Sequence, residues 1–256
     1  MKNINDRRFG CEIEVSTPFD KAKELFVPII KSIYGPRSIR AQEKHCDTTG
    51  NRKYWHLKDE PTTESELCTP ISTWKDIKNI QKVMSKIQKV GIKITRDDSI
   101  HVHVQANDVD PRNILVAWLF YESTIKKCFP AHRRKNENCF SLIKEKGKDK
   151  NIAYFLMNAI LESEDHKSII SFNHYEERKT VEFRISEGSD DPNHIRNWIL
   201  FCLTFVNESK KIDPILTICH EVNTTNICDL IYSLGIKDKK LSDWLEMRYS
   251  KFKRSR

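Results

Sequence analysis

Residues 9–15, FGCEIEV, alternate apolar and acidic side chains with the two-residue period of a β-strand. Cys11, Ile13 and Val15 fall on one face of that strand, and Glu12 and Glu14 fall on the other. Three later stretches repeat this pattern of polar residues at alternate positions: Glu64 and Glu66 in TESELC, His101 and His103 in SIHVHVQ, and Glu182 and Arg184 in TVEFRIS. The sequence therefore predicts four strands that each carry charged or imidazole groups on one face.

Two interpretations of these polar faces are open. An antiparallel sheet can expose one face to water, and each strand taken alone fits that interpretation. If the four strands are neighbours, however, their carboxylates repel one another unless cations neutralise them. Carboxylate-rich oxygen shells suit Mg²⁺ or Mn²⁺, and such ions commonly bridge to nucleotide phosphates.

The histidines allow a different metal. His101 and His103 lie two residues apart on one strand and could hold zinc together with a glutamate, as in a zinc-dependent hydrolase. A single tetrahedral zinc site would leave several of the carboxylates without a role, which disfavours this alternative.

The net charge suggests a third possibility. Lys and Arg exceed Asp and Glu by 44 to 36, a charge of +8, and the only concentrated basic run is KFKRSR at 251–256. A non-catalytic nucleic-acid-binding protein would use such a charge, although solvated lysines explain most of it. The sequence has no glycine-rich phosphate-binding motif, so a bound nucleotide would depend on metal ions and arginines.

The remaining pattern predicts an α+β fold, with helices on one face of a mainly antiparallel sheet. Helices are predicted from Pro18 to about Ile33 with a break or kink at Pro28, from Ser72 or Thr73 to Gly91, from Asp110-Pro111, from Asp191-Pro192, and within 213–250. Further strands are predicted at 54–58, 66–69, 92–96, 99–105, 168–173 and 179–186, with a polar loop at 35–53. The short turn at 97–98 between two of these strands favours antiparallel pairing.

The expected location is the cytoplasm. The eight cysteines include no CxxC pair, no apolar stretch approaches the length of a membrane span, and the first residues lack the pattern of a secretory signal. We therefore expect reduced thiols and no membrane partner.

Taken in order, five stretches resemble the amidoligase family, whose relatives are the glutamate–cysteine ligases and glutamine synthetases. The stretches are FGCEIEV at 9–15, WHLKDEPTTESELCTP at 55–70, IHVHV at 100–104, PAHRRKNENC at 130–139 and TVEFRISEGSDD at 180–191. This sequence departs from the family pattern at Ser99, where the family has glycine, and at His132, where serine is usual. The resemblance covers roughly residues 7–205 and implies an amidoligase-like catalytic domain at 1–206. Residues 207–256 are predicted to form a helical extension packed on that domain, with a basic tail.

The resemblance implies a glutamine-synthetase-like half-barrel, a curved sheet with helices on its outer face and with ATP and Mg²⁺ or Mn²⁺ along its inner face. It implies a ligase that joins a small-molecule or peptide carboxylate to an amine. The metal ligands implied by position are Glu12, Glu14, Glu66, His103 and Glu182. Arg184, His103 and Lys58 would bind the nucleotide, and Arg184, Glu182 and Arg133 would take part in catalysis. Asp59 or Glu60 would lie near the metals, and Asn158 matches a family asparagine.

Overall fold

The computed structural model describes residues 3–42, 53–137, 139, 141–142, 167–211 and 226–254. Within these residues it contains seven β-strands and eight α-helices, so the predicted mixed α+β class is confirmed. The strands are β1 (Phe9–Val15), β2 (Ile39–Gln42), β3 (Trp55–Glu60), β4 (Glu64–Cys68), β5 (Ser99–Gln105), β6 (Ile170–Ser171) and β7 (Thr180–Glu187). The helices are α1 (Phe19–Tyr34), α2 (Ile77–Lys89), α3 (Pro111–Lys126), α4 (Ala131–Arg134), α5 (Tyr175–Arg178), α6 (Pro192–Ser209), α7 (Ile227–Ser233) and α8 (Lys239–Phe252). Two short 3₁₀ helices cover Ile4–Asp6 and Trp74–Asp76.

The chain separates into two compact units. The N-terminal unit comprises Asn5–His103 and Ser186–Leu200, and the C-terminal unit comprises Met1–Ile4, Val104–Ile185 and Phe201–Arg256. Because the boundaries fall inside β5, β7 and α6, each unit contains part of these three elements.

In the N-terminal unit the strands are hydrogen-bonded in the order β2-β3-β4-β1-β5. Strand β4 pairs antiparallel with both β1 and β3, whereas β2 pairs parallel with β3. The buried residues Ile13, Leu57 and Leu67 share the apolar face of these strands. Helix α1 packs on β2, β3, β4 and α2. Hydrophobic burial on this face therefore anchors the strands.

A capping box starts the 3₁₀ helix Trp74–Asp76, which leads directly into α2. The Thr73 hydroxyl and backbone N–H both donate to the Asp76 carboxylate, at 3.0 and 2.8 Å. The apolar positions of α2 recur at helical spacing and are buried: Ile77, Ile80, Val83, Met84 and Ile87. This confirms the predicted helix, whose other face carries exposed lysines.

In the C-terminal unit, β6 pairs antiparallel with β7. Trp118 of α3 packs against Phe183 of β7 and Phe205 of α6, with ring centroids 5.6 and 5.5 Å apart. Helix α8 joins this core through Arg248, whose Nε donates to the Cys128 carbonyl at 2.8 Å. The helices beyond residue 226 thus pack within the unit that holds α3, as buried Leu241 and Leu245 also indicate.

Two local predictions were wrong. Residues 92–96 are not a strand, because the backbone there forms side-chain hydrogen bonds instead: Lys93 N donates to Thr17 and Thr95 N to Asp98. The predicted loop at 35–53 contains β2, which is held by β3. Helix α1 runs from Phe19 to Tyr34 through Pro28, so the chain has no break there, and the alternative of a kink stays a prediction.

The hairpin between β3 and β4 sets the register of the N-terminal sheet. Thr63 N donates to the Glu60 carbonyl at 3.2 Å, and Glu64 follows with a left-handed φ of 79°. This conformation is uncommon for a residue with a side chain, and it allows the chain to reverse between Glu60 and Glu64. Lys58 then lies directly opposite Glu66.

Among the described residues, no helix combines the length and apolar character that crossing a membrane would require.

Candidate functional site

The strand register places the predicted polar residues of the N-terminal unit on one face. Glu14 lies opposite Glu66 and Glu12 lies opposite Cys68 in the β1–β4 pair. On the far side of β4, Lys58 is opposite Glu66 and His56 is opposite Cys68. Residues opposite one another in a ladder project to the same side of the sheet. We call the set formed by Glu12, Glu14, His56, Lys58, Glu66, Cys68, Ser99, His101 and His103 the polar face.

A buried charge cluster occupies the middle of the polar face. Lys58 Nζ lies 3.0 Å from Glu66 Oε1, and both side chains are more than 90% buried. Cys68 Sγ contacts the same carboxylate oxygen at 2.7 Å. One ligand atom each from Glu12, Glu66 and Cys68 lies within 4.8 Å of the others.

The surroundings of Glu66 in this cluster disfavour the ionised form of its carboxyl group. Burial and the neighbouring Glu12 raise the pKa of Glu66, although Lys58 partly opposes this. Burial would lower the pKa of Lys58, but Cys68, Glu66 and Glu12 together raise it above its ordinary value. A second cation would therefore be attracted to these carboxylates.

A chain of hydrogen bonds links Glu14 to His101 through Ser99. Glu14 Oε2 accepts from the Ser99 backbone N–H at 2.8 Å and from the Ser99 hydroxyl at 2.5 Å. Ser99 Oγ also lies 2.8 Å from His101 Nε2. An ionised carboxylate can only accept, so the single hydrogen of the Ser99 hydroxyl goes to Glu14. His101 Nε2 must then carry a hydrogen and donate it to Ser99 Oγ.

The second ring nitrogen of His101, Nδ1, lies on the side of the Glu12 carboxylate. His101 Nδ1 lies 3.9 Å from Glu12 Oε2, and His103 Nε2 lies 3.3 Å from the same oxygen. In a neutral His101 with hydrogen on Nε2, Nδ1 presents a lone pair toward Glu12. The donor set around Glu12 therefore fits a divalent cation, which would bind the lone pairs of both groups.

The predicted residues of the C-terminal unit lie on β7 and on α4, which contacts it. Arg184 Nη1 lies 2.5 Å from Glu182 Oε1, and both side chains are largely buried. Arg133 directs its guanidinium at the β7 backbone, donating to the carbonyls of Arg184 at 2.7 Å and Ile185 at 3.4 Å. These hydrogen bonds connect α4 to the backbone of β7, and the catalytic role of Arg133 stays a prediction.

The structure thus brings together Glu12, Glu14, Lys58, Glu66, His101 and His103 in one unit, and Glu182, Arg184 and Arg133 in the other. Glu60 shares the face of Lys58, whereas Asp59 is exposed on the opposite face. Asn158 lies outside the described residues. Sequence reasoning missed Cys68 as a member of the polar face, and it noted Ser99 only as a departure from the family pattern.

The site and fold define a class: an α+β protein whose sheet carries a buried carboxylate face suited to cations. A family model described as "Putative amidoligase enzyme" matches residues 32–206. The match covers more than half of the chain, which therefore belongs to the amidoligase family, as the sequence resemblance predicted. It includes the stretches at 55–70, 100–104, 130–139 and 180–191, while β1 precedes it. A search of curated proteins found no match.

Proposed function

We propose that this chain is an ATP-dependent ligase that joins a carboxylate to an amine with the help of Mg²⁺ or Mn²⁺. Family membership supports ligase chemistry. The observation that carries the cation dependence is the position of partly buried Glu12 beside buried Glu66, with a raised pKa for Glu66. A glutamine-synthetase-like curvature of the sheet is part of the same proposal.

The proposed reaction has two steps. A carboxylate oxygen of the first substrate attacks the terminal phosphorus of ATP, and ADP leaves with the electrons of the broken P–O bond. The nitrogen of the second substrate then attacks the carbonyl carbon of the acyl phosphate. Inorganic phosphate leaves, the nitrogen loses a proton, and an amide is formed. ATP is needed because oxide is too poor a leaving group for direct attack by the amine.

The residues of the polar face would contribute mainly by charge. Divalent cations held by Glu12, Glu14, Glu66 and His103 would neutralise the phosphates during transfer. Lys58 supplies a fixed positive charge beside Glu66, and Ser99 holds Glu14 in one orientation. As the family resemblance implies, Glu182 would be a further metal ligand and Arg184 would bind phosphate. Both residues and Arg133 would take part in catalysis. The substrates are proposed to be a small-molecule or peptide carboxylate and a primary amine.

Thermal unfolding with a non-hydrolysable ATP analogue and Mg²⁺ tests this proposal. A ligand at 100 times its dissociation constant adds roughly 2.7 kcal/mol to the free energy of unfolding. We expect stabilisation only when analogue and Mg²⁺ are both present. Glu14→Gln should weaken binding of the complex by about 10- to 150-fold, because a hydrogen bond or ion contact to a charged group contributes about 1.5–3 kcal/mol.

Glu24→Gln is the matched control, since Glu24 is an exposed glutamate of α1 in the same unit. It should leave the stabilisation unchanged. If neither nucleotide nor Mg²⁺ changes the unfolding temperature, the ligase proposal is wrong. A shift with zinc alone that disappears in His101→Ala and His103→Ala would instead favour the hydrolase alternative, and salt-sensitive binding of RNA or DNA alone would favour the nucleic-acid-binding one.

A further inference from the structure

The polar face contains a thiol that the ligase proposal does not use. Cys68 is fully buried and is the last residue of β4. Its strand neighbours in the ladder are Glu12 on one side and His56 on the other. Its Sγ lies within 4.8 Å of ligand oxygens of both Glu12 and Glu66. Alternation along β4 turns Cys68 to the side of Glu66, whereas apolar Leu67 lies on the opposite face.

We propose that Cys68, Glu12 and Glu66 bind a thiophilic divalent cation of the zinc class. The proposal rests on the proposed function, because Glu12 and Glu66 also belong to the suggested Mg²⁺ or Mn²⁺ site, and it adds Cys68 as a ligand. Mg²⁺ takes oxygen ligands, whereas a thiolate selects zinc and similar ions. One sulfur and two carboxylates are three protein ligands, and zinc sites with three protein ligands keep the fourth position for water or substrate.

Lys58 Nζ lies 3.0 Å from Glu66 Oε1, the oxygen that Cys68 Sγ also contacts, so the ion would displace Lys58 from this carboxylate or share it with Lys58. One further feature of the unit fits such an ion. His101 Nδ1 and His103 Nε2 lie 3.9 and 3.3 Å from Glu12 Oε2. The Glu12 carboxylate is therefore next to imidazole nitrogens, which are ligands that suit zinc better than Mg²⁺. The Glu12 side chain retains 15% exposure, so the cluster is not wholly enclosed.

Binding of this ion would change how the enzyme responds to metals. A thiolate ligand holds zinc in the presence of excess Mg²⁺, since Mg²⁺ gains little from sulfur. Zinc-class ions would therefore compete for Glu12 and Glu66 and suppress Mg²⁺-dependent nucleotide binding.

Cadmium titration of the reduced full-length protein tests the site directly, because a cadmium–thiolate bond has its own ultraviolet absorption band. We expect one tight equivalent, a band that persists in excess Mg²⁺, and loss of that tight equivalent in Cys68→Ser. Cys228→Ser is the matched control, since Cys228 is an exposed cysteine of α7, and it should keep the tight equivalent. Circular dichroism and the unfolding temperature check that both variants fold.

Glu66→Gln provides a second variant that keeps the thiol. It should weaken cadmium binding by at least about tenfold, the lower end of what disturbing a metal site typically causes. An unchanged tight equivalent in Cys68→Ser, or unchanged affinity in Glu66→Gln, would overturn the site. The outcome is independent of the ligase proposal: a Cys68-dependent band without any response to nucleotide would retain the thiophilic site and reject the ATP-dependent reaction.

Discussion

The two faces of the N-terminal sheet both contain buried side chains, yet burial has different physical consequences on each face. Ile13, Leu57 and Leu67 on the apolar face are at most 1% exposed, and Lys58 and Glu66 on the polar face are 5% and 6% exposed. Removing apolar groups from water stabilises the fold, whereas removing charged groups costs free energy that their pairing only partly offsets. The apolar face therefore stabilises the structure, whereas the polar face does so much less, and its role in binding belongs to the proposed function.

Leu67→Ala should give the largest change in stability. The substitution removes buried methyl groups from the apolar face and leaves a cavity, at a cost of about 2–5 kcal/mol. Urea denaturation monitored by tryptophan fluorescence measures it. Leu67→Met keeps most of the volume and should cost less than about 1.5 kcal/mol. Stability unchanged by Leu67→Ala would show that this face is not tightly packed.

Lys58→Met tests the polar face at the residue that lies opposite Glu66. Removing one partner of a buried ion pair leaves the other uncompensated, so we expect a loss of about 3 kcal/mol near neutral pH. Unlike the loss in Leu67→Ala, this loss should shrink when Mn²⁺ or Zn²⁺ is added, because the cation replaces the missing charge. Equal losses with and without the cations would contradict a cation site at Glu66.

The free energy of unfolding of the Lys58→Met variant should depend on pH through Glu66. Burial and Glu12 already raise the pKa of Glu66, and loss of Lys58 removes a group that lowers it. The folded variant then retains the Glu66 proton to a higher pH than the unfolded chain, whose glutamate pKa is about 4.3. Its free energy of unfolding should therefore decrease as the pH rises from that value through the raised pKa.

Ser99→Ala should have the smallest effect. It removes the hydroxyl that bonds Glu14 and His101 but keeps the backbone N–H bond to Glu14, so a loss of about 0.5–1.5 kcal/mol is expected. Binding of the Mg²⁺–nucleotide complex should weaken by less than about tenfold, and Ser99→Thr should restore part of the loss. An effect as large as that of Lys58→Met would show that Ser99 does more than position Glu14.

Much of this fold could be predicted because the strong periodic patterns are local. The alternation in FGCEIEV placed Glu12 and Glu14 on one face, and the spacing in α2 identified its buried side. Strand β2 was missed because three half-buried residues and one exposed arginine in a polar stretch carry little pattern, and its place depends on pairing with β3. Thr95 and neighbouring residues were mistaken for a strand because their hydrogen bonds to Asp98 and Thr17 leave no signal in hydrophobic spacing.

The residues of the candidate site could be predicted in part from the sequence. Residue alternation identified the glutamates and histidines, but it could not show which residues meet across strands. The two-residue spacing from Glu66 could have placed Cys68 on the polar face, but its place beside Glu12 follows only from the register of β1 and β4. The ligand and catalytic roles assigned by family resemblance stay predictions.

The left-handed residue Glu64 in the β3–β4 hairpin has a consequence for how this protein can change over evolutionary time. Surface turns usually accept insertions and deletions with little effect. Here a slip of β4 by one position would put Leu67 where Glu66 lies and turn the carboxylate toward α1, since strand neighbours point to opposite sides. The residues of the turn can therefore vary among relatives, but the number of residues between Lys58 and Glu66 should be held constant.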